Sequence, residues 1–131
     1  MAEKLGADYI TRVPTQDVET EVKAISKNGK VDVVIDTVAT EQTFHDALRI
    51  VRKAGMICLV GGYTKPLNAS IRPIVSKELH VLGSACYSYS GLKKDFDAVI
   101  ELVATKKVDV IPLITQRFPL NDWGGLQNCS R

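Results

Sequence analysis

The chain has 131 residues, with 17 Lys and Arg against 15 Asp and Glu, and a net charge of +2 excludes a surface built on bulk charge for a polyanion. Its 45% hydrophobic and 24% charged residues match a chain that buries one core, which excludes an intrinsically disordered segment. No apolar run reaches the length of a membrane span, and no apolar signal core follows Met1-Ala2-Glu3-Lys4, so the expected location is the cytoplasm.

In chain order, Ala2–Leu5 reads as the last turns of a helix that stops at Gly6. Tyr9–Val13 reads as a short strand ended by Pro14. Asp17–Lys27 follows as a helix, with Val18, Val22 and Ile25 on one face, Thr15 as its cap and Asn28-Gly29 at its end. Val31–Ile35 is a nearly continuous apolar run, as expected of a strand buried on both faces. Glu41–Lys53 is a second amphipathic helix, capped by Thr40, with Phe44, Ala47, Leu48 and Val51 on its apolar face. Met56–Val60 is a buried strand closed by Gly61-Gly62, and Leu79–Leu82 is another closed by Gly83. Ser90–Lys107 is a third helix, with Leu92, Phe96, Val99, Ile100 and Val103 as its stripe. Val110–Ile114 is a last strand, restricted by Pro112 to an edge or a bulge.

Strand and helix alternate four times, the rhythm of parallel β-α-β units with right-handed crossovers, and the fold class is α/β. The basic pairs Arg52–Lys53, Lys93–Lys94 and Lys106–Lys107 sit at expected helix faces and ends, where solvated surface accounts for them. Cys58, Cys86 and Cys129 form neither a paired framework nor a C-x-x-C motif, and Cys58 in its apolar run reads as a small buried hydrophobe.

The order of several stretches resembles one known family. They are Ala2-Glu3-Lys4-Leu5-Gly6-Ala7-Asp8, Val31-Asp32-Val33-Val34-Ile35-Asp36, Arg52-Lys53-Ala54-Gly55-Met56-Ile57-Cys58-Leu59-Val60-Gly61, Lys77-Glu78-Leu79-His80-Val81-Leu82-Gly83-Ser84, and Ile114-Thr115-Gln116-Arg117-Phe118-Pro119-Leu120. Together they resemble the second half of the cofactor domain of zinc-dependent medium-chain alcohol and polyol dehydrogenases. The resemblance implies a partial doubly wound, Rossmann-type parallel sheet with flanking helices. Residues 1–122 would be the C-terminal portion of a dinucleotide-binding domain, and 123–131 an irregular tail. The glycine-rich pyrophosphate turn and the acidic ribose reader of such domains do not occur in the chain. A fragment is therefore expected, inactive by itself, cut from an oxidoreductase that moves a hydride between an alcohol or polyol and NAD or NADP. Zinc would belong to a catalytic domain outside this sequence. The zinc-independent quinone reductase branch remains open, as does a noncatalytic remnant that only associates.

Ligands of doubly wound sheets bind beyond the carboxyl ends of the strands. The loops at such ends are Thr37–Thr40, Gly61–Tyr63 and Gly83–Cys86. The resemblance implies that Val38, Ala39, Val60, Gly61, Gly62, Ser84 and Ala85 line the nicotinamide half of a cofactor pocket, largely through backbone groups. Without it, the glycines would simply turn the chain. His45 and His80 have no companions at metal-ligand spacing and read as surface or packed histidines. Asp32, Asp36 and Glu78 are not paired as an acid–base set, and Ser84 and Ser90 have no visible base. Tyr63, Tyr87 and Tyr89 fall near strand ends, as walls of a site or as loop packing.

Leu67, Ala69 and Ile71 alternate with Asn68, Ser70 and Arg72 between Pro66 and Pro73, the pattern either of a short edge strand or of a surface loop whose alternation is accidental. The resemblance implies a homodimer in which Leu67–Arg72 meets its copy across a two-fold axis. Neither nucleic acid nor membrane is expected as a partner.

Overall fold

The computed structural model describes residues 1–85, 89, 90, 93–119 and 121. The chain divides into two compact units, Tyr9–Ser88 and a second made of Met1–Asp8 with Tyr89–Arg131.

The larger unit is built on three parallel strands in the order β1 (Val31–Asp36), β2 (Val51–Leu59) and β3 (His80–Gly83). Helix α1 (Val18–Ile25) precedes β1, α2 (Glu41–Ile50) links β1 to β2, and the short α3 (Arg72–Ser76) lies before β3. The register sets Val34, Ile57 and Val81 in one row, and Ile35, Cys58 and Leu82 in the next. Successive strand residues face opposite sides, so these rows belong to opposite faces of the sheet. On one face Ile57 joins Phe44, Ala47 and Leu48 of α2, with Val51, in the buried core. Leu67, Ala69, Ile74 and Leu79 pack against that cluster from the segment before β3. On the other face Val33, Ile35 and Leu82 are exposed. The α/β parallel sheet with flanking helices is thus as the sequence implies.

Several boundaries differ from the sequence reading, each for a physical reason. Tyr9–Val13 is not a strand, because no described strand offers it a partner, and Tyr9, Ile10 and Val13 are exposed. The cap of α1 is Asp17, whose carboxylate accepts from Thr20 N at 2.9 Å, while the Thr15 hydroxyl donates to Arg12 O. The second helix stops at Ile50, not Lys53. Val51 is fully buried as expected, but as the first residue of β2, paired with Val31. The turn is held by ammonium groups on carbonyls at and just past the helix end: Lys77 Nζ donates to Leu48 O and Val51 O, and Lys30 Nζ to Arg49 O. Such cations complement the negative end of the helix. Past Val51 the ladder resumes only at Met56 opposite Val33, and the residues between bulge outward. Gly55 is required there, since a Cβ would meet Val51 Cγ2 at 2.6 Å.

The Leu67–Arg72 edge strand is partly overturned. Leu67 and Ala69 turn toward the core while Asn68 and Ser70 are exposed, so the alternation is present over four residues. Ile71 instead caps α3 with helical backbone angles, and Arg72 is the first residue of that helix. Proline favours a first helical turn, where its absent N–H costs nothing, so Pro73 starts a helix instead of only bracketing a strand.

The smaller unit holds a one-turn helix at Glu3–Leu5, stopped by Gly6 in the left-handed region as expected. The expected Ser90–Lys107 helix runs only over Asp95–Ala104, as α4. Ser90 instead lies in β4 (Tyr89–Ser90), antiparallel to β5 (Lys93–Lys94). Phe96, Val99 and Ile100 of α4 are exposed. Val110–Ile114 forms a 3-10 turn over Ile111–Leu113 rather than a strand, because Pro112 suits a first helical turn and Asp109 accepts from Ile111 N. Leu92, Cys86, Tyr87 and the tail from residue 122 lie outside the described residues.

Candidate functional site

At the carboxyl edge of the sheet Asp36, Leu59 and Gly83 stand in register, so three loops leave the strands side by side. Main-chain bonds then step across them. Val60 N and Gly61 N both donate to Asp36 O, at 2.9 and 3.0 Å, and Ser84 N donates to Leu59 O at 2.9 Å. All seven residues expected at a cofactor pocket therefore lie in adjacent loops on one edge. Val38, Val60, Gly62, Ser84 and Ala85 are exposed there, and Ala39 and Gly61 are half-buried.

The two glycines of Gly61-Gly62 have different work. A Cβ on Gly61 would sit 2.6 Å from Ala39 Cβ and 2.9 Å from Ala39 N, so only glycine lets the second loop cross the first. A Cβ on Gly62 meets nothing within 4 Å, which leaves open space over an exposed backbone. Ala39 itself has φ 64°, the left-handed region that favours glycine.

The centre of this edge is a residue that the sequence reading set aside. Asp36 is 5% exposed, the buried ionisable side chain among the described residues. Its Oδ1 accepts from Val38 N at 3.0 Å and Ala39 N at 3.1 Å. Its Oδ2 accepts from Thr43 Oγ1 at 2.9 Å and Tyr63 Oη at 2.5 Å. Burial by itself would raise this carboxyl. The bonds from Tyr63, Ala39, Thr43 and Val38 outweigh burial and hold it below its ordinary value. Tyr63 is pushed up to about 12, by burial first and then by donating to an anion. Its ring meets Phe44 edge to face, with centroids 6.5 Å apart. The readable signal was an Asp at the end of an apolar strand with two residues after it free to donate, the pattern of an Asx-type turn.

Thr40 caps α2 as expected and closes a full capping box with Thr43. Beside it, Ala39, Thr40, Glu41, Tyr63, Thr64, Lys65, Pro66 and Leu67 line an open cavity of about 350 Å³.

Among the described residues of the larger unit, the other expected candidates do not join this edge. His45 Nε2 approaches Asn68 O at 3.3 Å and Glu41 at 3.9 Å on the surface. His80 stands exposed at the start of β3, at the opposite end of the sheet. Asp32 pairs with Arg52 at 2.5 Å and Glu78 approaches Lys53 at 3.7 Å, also at the opposite end. Tyr89 and Ser90 belong to the smaller unit. Cys58 is half-buried, on the less covered face of the sheet.

The edge meets the needs of the flat half of a dinucleotide: parallel strand ends, an exposed glycine backbone and a buried anchor beneath. Zinc is a different case. Among the described residues no three His, Cys, Asp or Glu side chains gather as a metal ion requires, so these residues do not fit a zinc site.

Comparison with known proteins decides the family. Residues 1–105 match the family model described as zinc-binding dehydrogenase. The chain belongs to the zinc-binding dehydrogenase family. Within it, the chain is 34% identical over 122 residues to a sorbitol dehydrogenase of Arabidopsis thaliana, covering 90% of the chain and 32% of that protein. It is also 34% identical over 122 residues to an L-idonate 5-dehydrogenase of Vitis vinifera, with the same coverage. This zinc-binding dehydrogenase chain thus spans about a third of the length of the curated relatives it matches. A solved structure described as a short chain alcohol dehydrogenase from E. coli CFT073, complexed with NADH, superposes with a TM-score of 0.78 at 22% identity. The match covers 99% of the chain and 37% of that structure. At that identity the superposition shows the Rossmann-type fold of the family. No helix among the described residues is long and apolar enough to cross a membrane.

Proposed function

We propose that this chain is the nicotinamide-side portion of the cofactor domain of an oxidoreductase that moves a hydride between an alcohol or polyol and NAD or NADP. The observation that carries this reading is the edge where the Thr37–Thr40, Val60–Tyr63 and Gly83–Ala85 loops leave three registered parallel strands. In open α/β sheets such an edge is where ligands lie. Val38, Ala39, Val60, Gly61, Gly62, Ser84 and Ala85 would hold the ring, the open backbone at Gly62 admitting it closely. When bound, NAD(P) supplies the hydride chemistry. This chain's residues orient the ring and keep water from one side of it. The names of relatives, sorbitol and idonate dehydrogenases, support a polyol-type substrate.

Residues 1–122 are proposed as the C-terminal portion of that domain, with 123–131 as a tail. The pyrophosphate contacts and the metal that holds the substrate oxygen would come from other residues. The chain by itself is then inactive, because hydride transfer needs the developing alkoxide held by a metal or an acid. Cofactor affinity in the millimolar range, about −4 kcal/mol, is expected without a pyrophosphate-binding helix end. Titrating the chain with NAD and NADP under amide NMR tests the reading. Shifts confined to the three loops support it, and silence at these loops overturns it.

A cytoplasmic location and a homodimer complete the proposal, with no nucleic-acid or membrane partner. The self-pairing segment would be Leu67–Ser70 of the expected Leu67–Arg72, since its outward residues Asn68 and Ser70 leave room for a ladder. Ala69→Pro removes a donor from that ladder. Light scattering that shows a folded, fully dimeric Ala69→Pro variant overturns this seam.

A further inference from the structure

The proposed ring-binding edge is held by one side chain. We propose that Asp36 is its positioning residue, fixing the Thr37–Ala39 turn and Tyr63 in the arrangement that faces the nicotinamide ring. The inference rests on the cofactor reading of that edge and names the group on which its geometry depends.

Among the described residues, each bond of the Asp36 carboxylate goes to a segment that borders the proposed site. Oδ1 takes the amides of Val38 and Ala39, and Oδ2 takes the hydroxyls of Thr43 and Tyr63. Its main-chain carbonyl takes Val60 N and Gly61 N. One residue thus ties together the turn after β1, the first turn of α2 and the loop after β2. Among the described residues, the amides of Val38 and Ala39 have no other acceptor. Val38 is 65% exposed, so side-chain packing does not hold the turn. Ala39 adopts a left-handed conformation that a Cβ disfavours and that persists only when surroundings impose it. The imposing group is the carboxylate, and the Ala39 methyl and amide are what crowd any Cβ at position 61. Releasing Asp36 therefore frees the first loop and removes the surface against which the second is set.

The test uses the chain with NADH as the probe, followed by amide NMR and hydrogen exchange. In the unsubstituted chain the Val38 and Ala39 amides are protected, and NADH shifts the amides of Ala39, Gly61, Gly62 and Ser84. In Asp36→Ala, with the Ile57 amide still protected as the mark of a folded core, protection at Val38 and Ala39 disappears. The initial slope of shift against NADH concentration then falls about tenfold, as when the competent loop conformer drops to about a tenth. Asp36→Asn keeps an oxygen for both amides and restores the slope to within about threefold. A residue that only stabilised the core would lower the folded fraction and leave the NADH response of folded molecules unchanged. That result for Asp36→Ala overturns the proposal. Should Asp36→Ala fail to fold, scalar couplings across the hydrogen bonds from the Val38 and Ala39 amides to the Asp36 carboxylate decide: their presence supports the proposal and their absence overturns it. An unsubstituted chain that ignores NADH overturns the cofactor reading instead.

Discussion

Tyr63 Oη donates to Asp36 Oδ2 at 2.5 Å across 27 positions of sequence, and this bond joins the end of β1 to the loop that follows β2. Removing the hydroxyl while keeping the ring against Phe44 isolates the bond. Tyr63→Phe is expected to destabilise the chain by about 1.5 kcal/mol, at the low end for a hydrogen bond to a charged group, because Asp36 keeps three other donors. Urea denaturation of the two proteins measures it.

The Asp36 carboxyl is held below its ordinary value, burial being outweighed by its donors. A lowered folded value means that the unfolded chain binds the proton more tightly. The stabilisation from Asp36 is therefore complete above the ordinary carboxylate range and declines as pH falls through that range toward the folded value. Asp36→Asn should be less stable than the unsubstituted chain at neutral pH, with the difference shrinking in acid. Denaturation midpoints across an acid pH series would show parallel curves if this is wrong.

Gly61 and Gly62 separate fold from site. Gly61→Ala places a methyl 2.6 Å from Ala39 Cβ and should cost about 1 to 3 kcal/mol, the usual penalty for overpacking. Gly62→Ala meets nothing and should change stability by less than about 0.5 kcal/mol, as for an ordinary surface change. If the proposed cofactor reading holds, its methyl occupies the open space the ring would take, and Gly62→Ala should weaken NADH-induced shifts. Thermal melts and an NADH titration on both variants give the comparison.

Ala39 at φ 64° stores backbone strain that glycine would relieve. The gain, about 1 to 2 kcal/mol for leaving the left-handed region with no Cβ, is partly offset by the freedom glycine adds to the unfolded chain. Ala39→Gly should stabilise the chain by about 0.5 kcal/mol, measured from a urea midpoint.

Lys77 Nζ lies against Leu48 O and Val51 O at 2.6 and 3.1 Å, where α2 turns into β2. Burial, and then the neighbouring Lys30 ammonium, push this amine below its ordinary value, so the cap is kept at a cost. Lys77→Met retains the stem and leaves two half-buried carbonyls without their donor. A loss of about 1 to 3 kcal/mol is expected, with faster exchange of amides at the end of α2. A variant as stable as the unsubstituted chain would show that Lys77 does not hold this helix end.

Local pattern by itself determined that this is an α/β chain, because the period of its apolar residues distinguishes strands from helices. Val31–Ile35, interrupted only by Asp32, and Met56–Leu59 are apolar runs, and Phe44, Ala47 and Leu48 recur at helical spacing. Thr40 was readable as a cap, and the loops proposed to face the cofactor followed from where the strands end. Tertiary structure decided the rest. Val51 satisfies a helical stripe and a strand equally well, and its pairing with Val31 chose the strand. Tyr9–Val13 has strand composition but no partner among the described strands, so it is no strand. Asp36 looked like an isolated carboxylate because its donors lie two, three, seven and 27 positions away, and only the packed sheet edge brings them to one point. Periodicity reports which residues seek burial. Which buried polar group finds which donor depends on contacts between segments that no local pattern encodes.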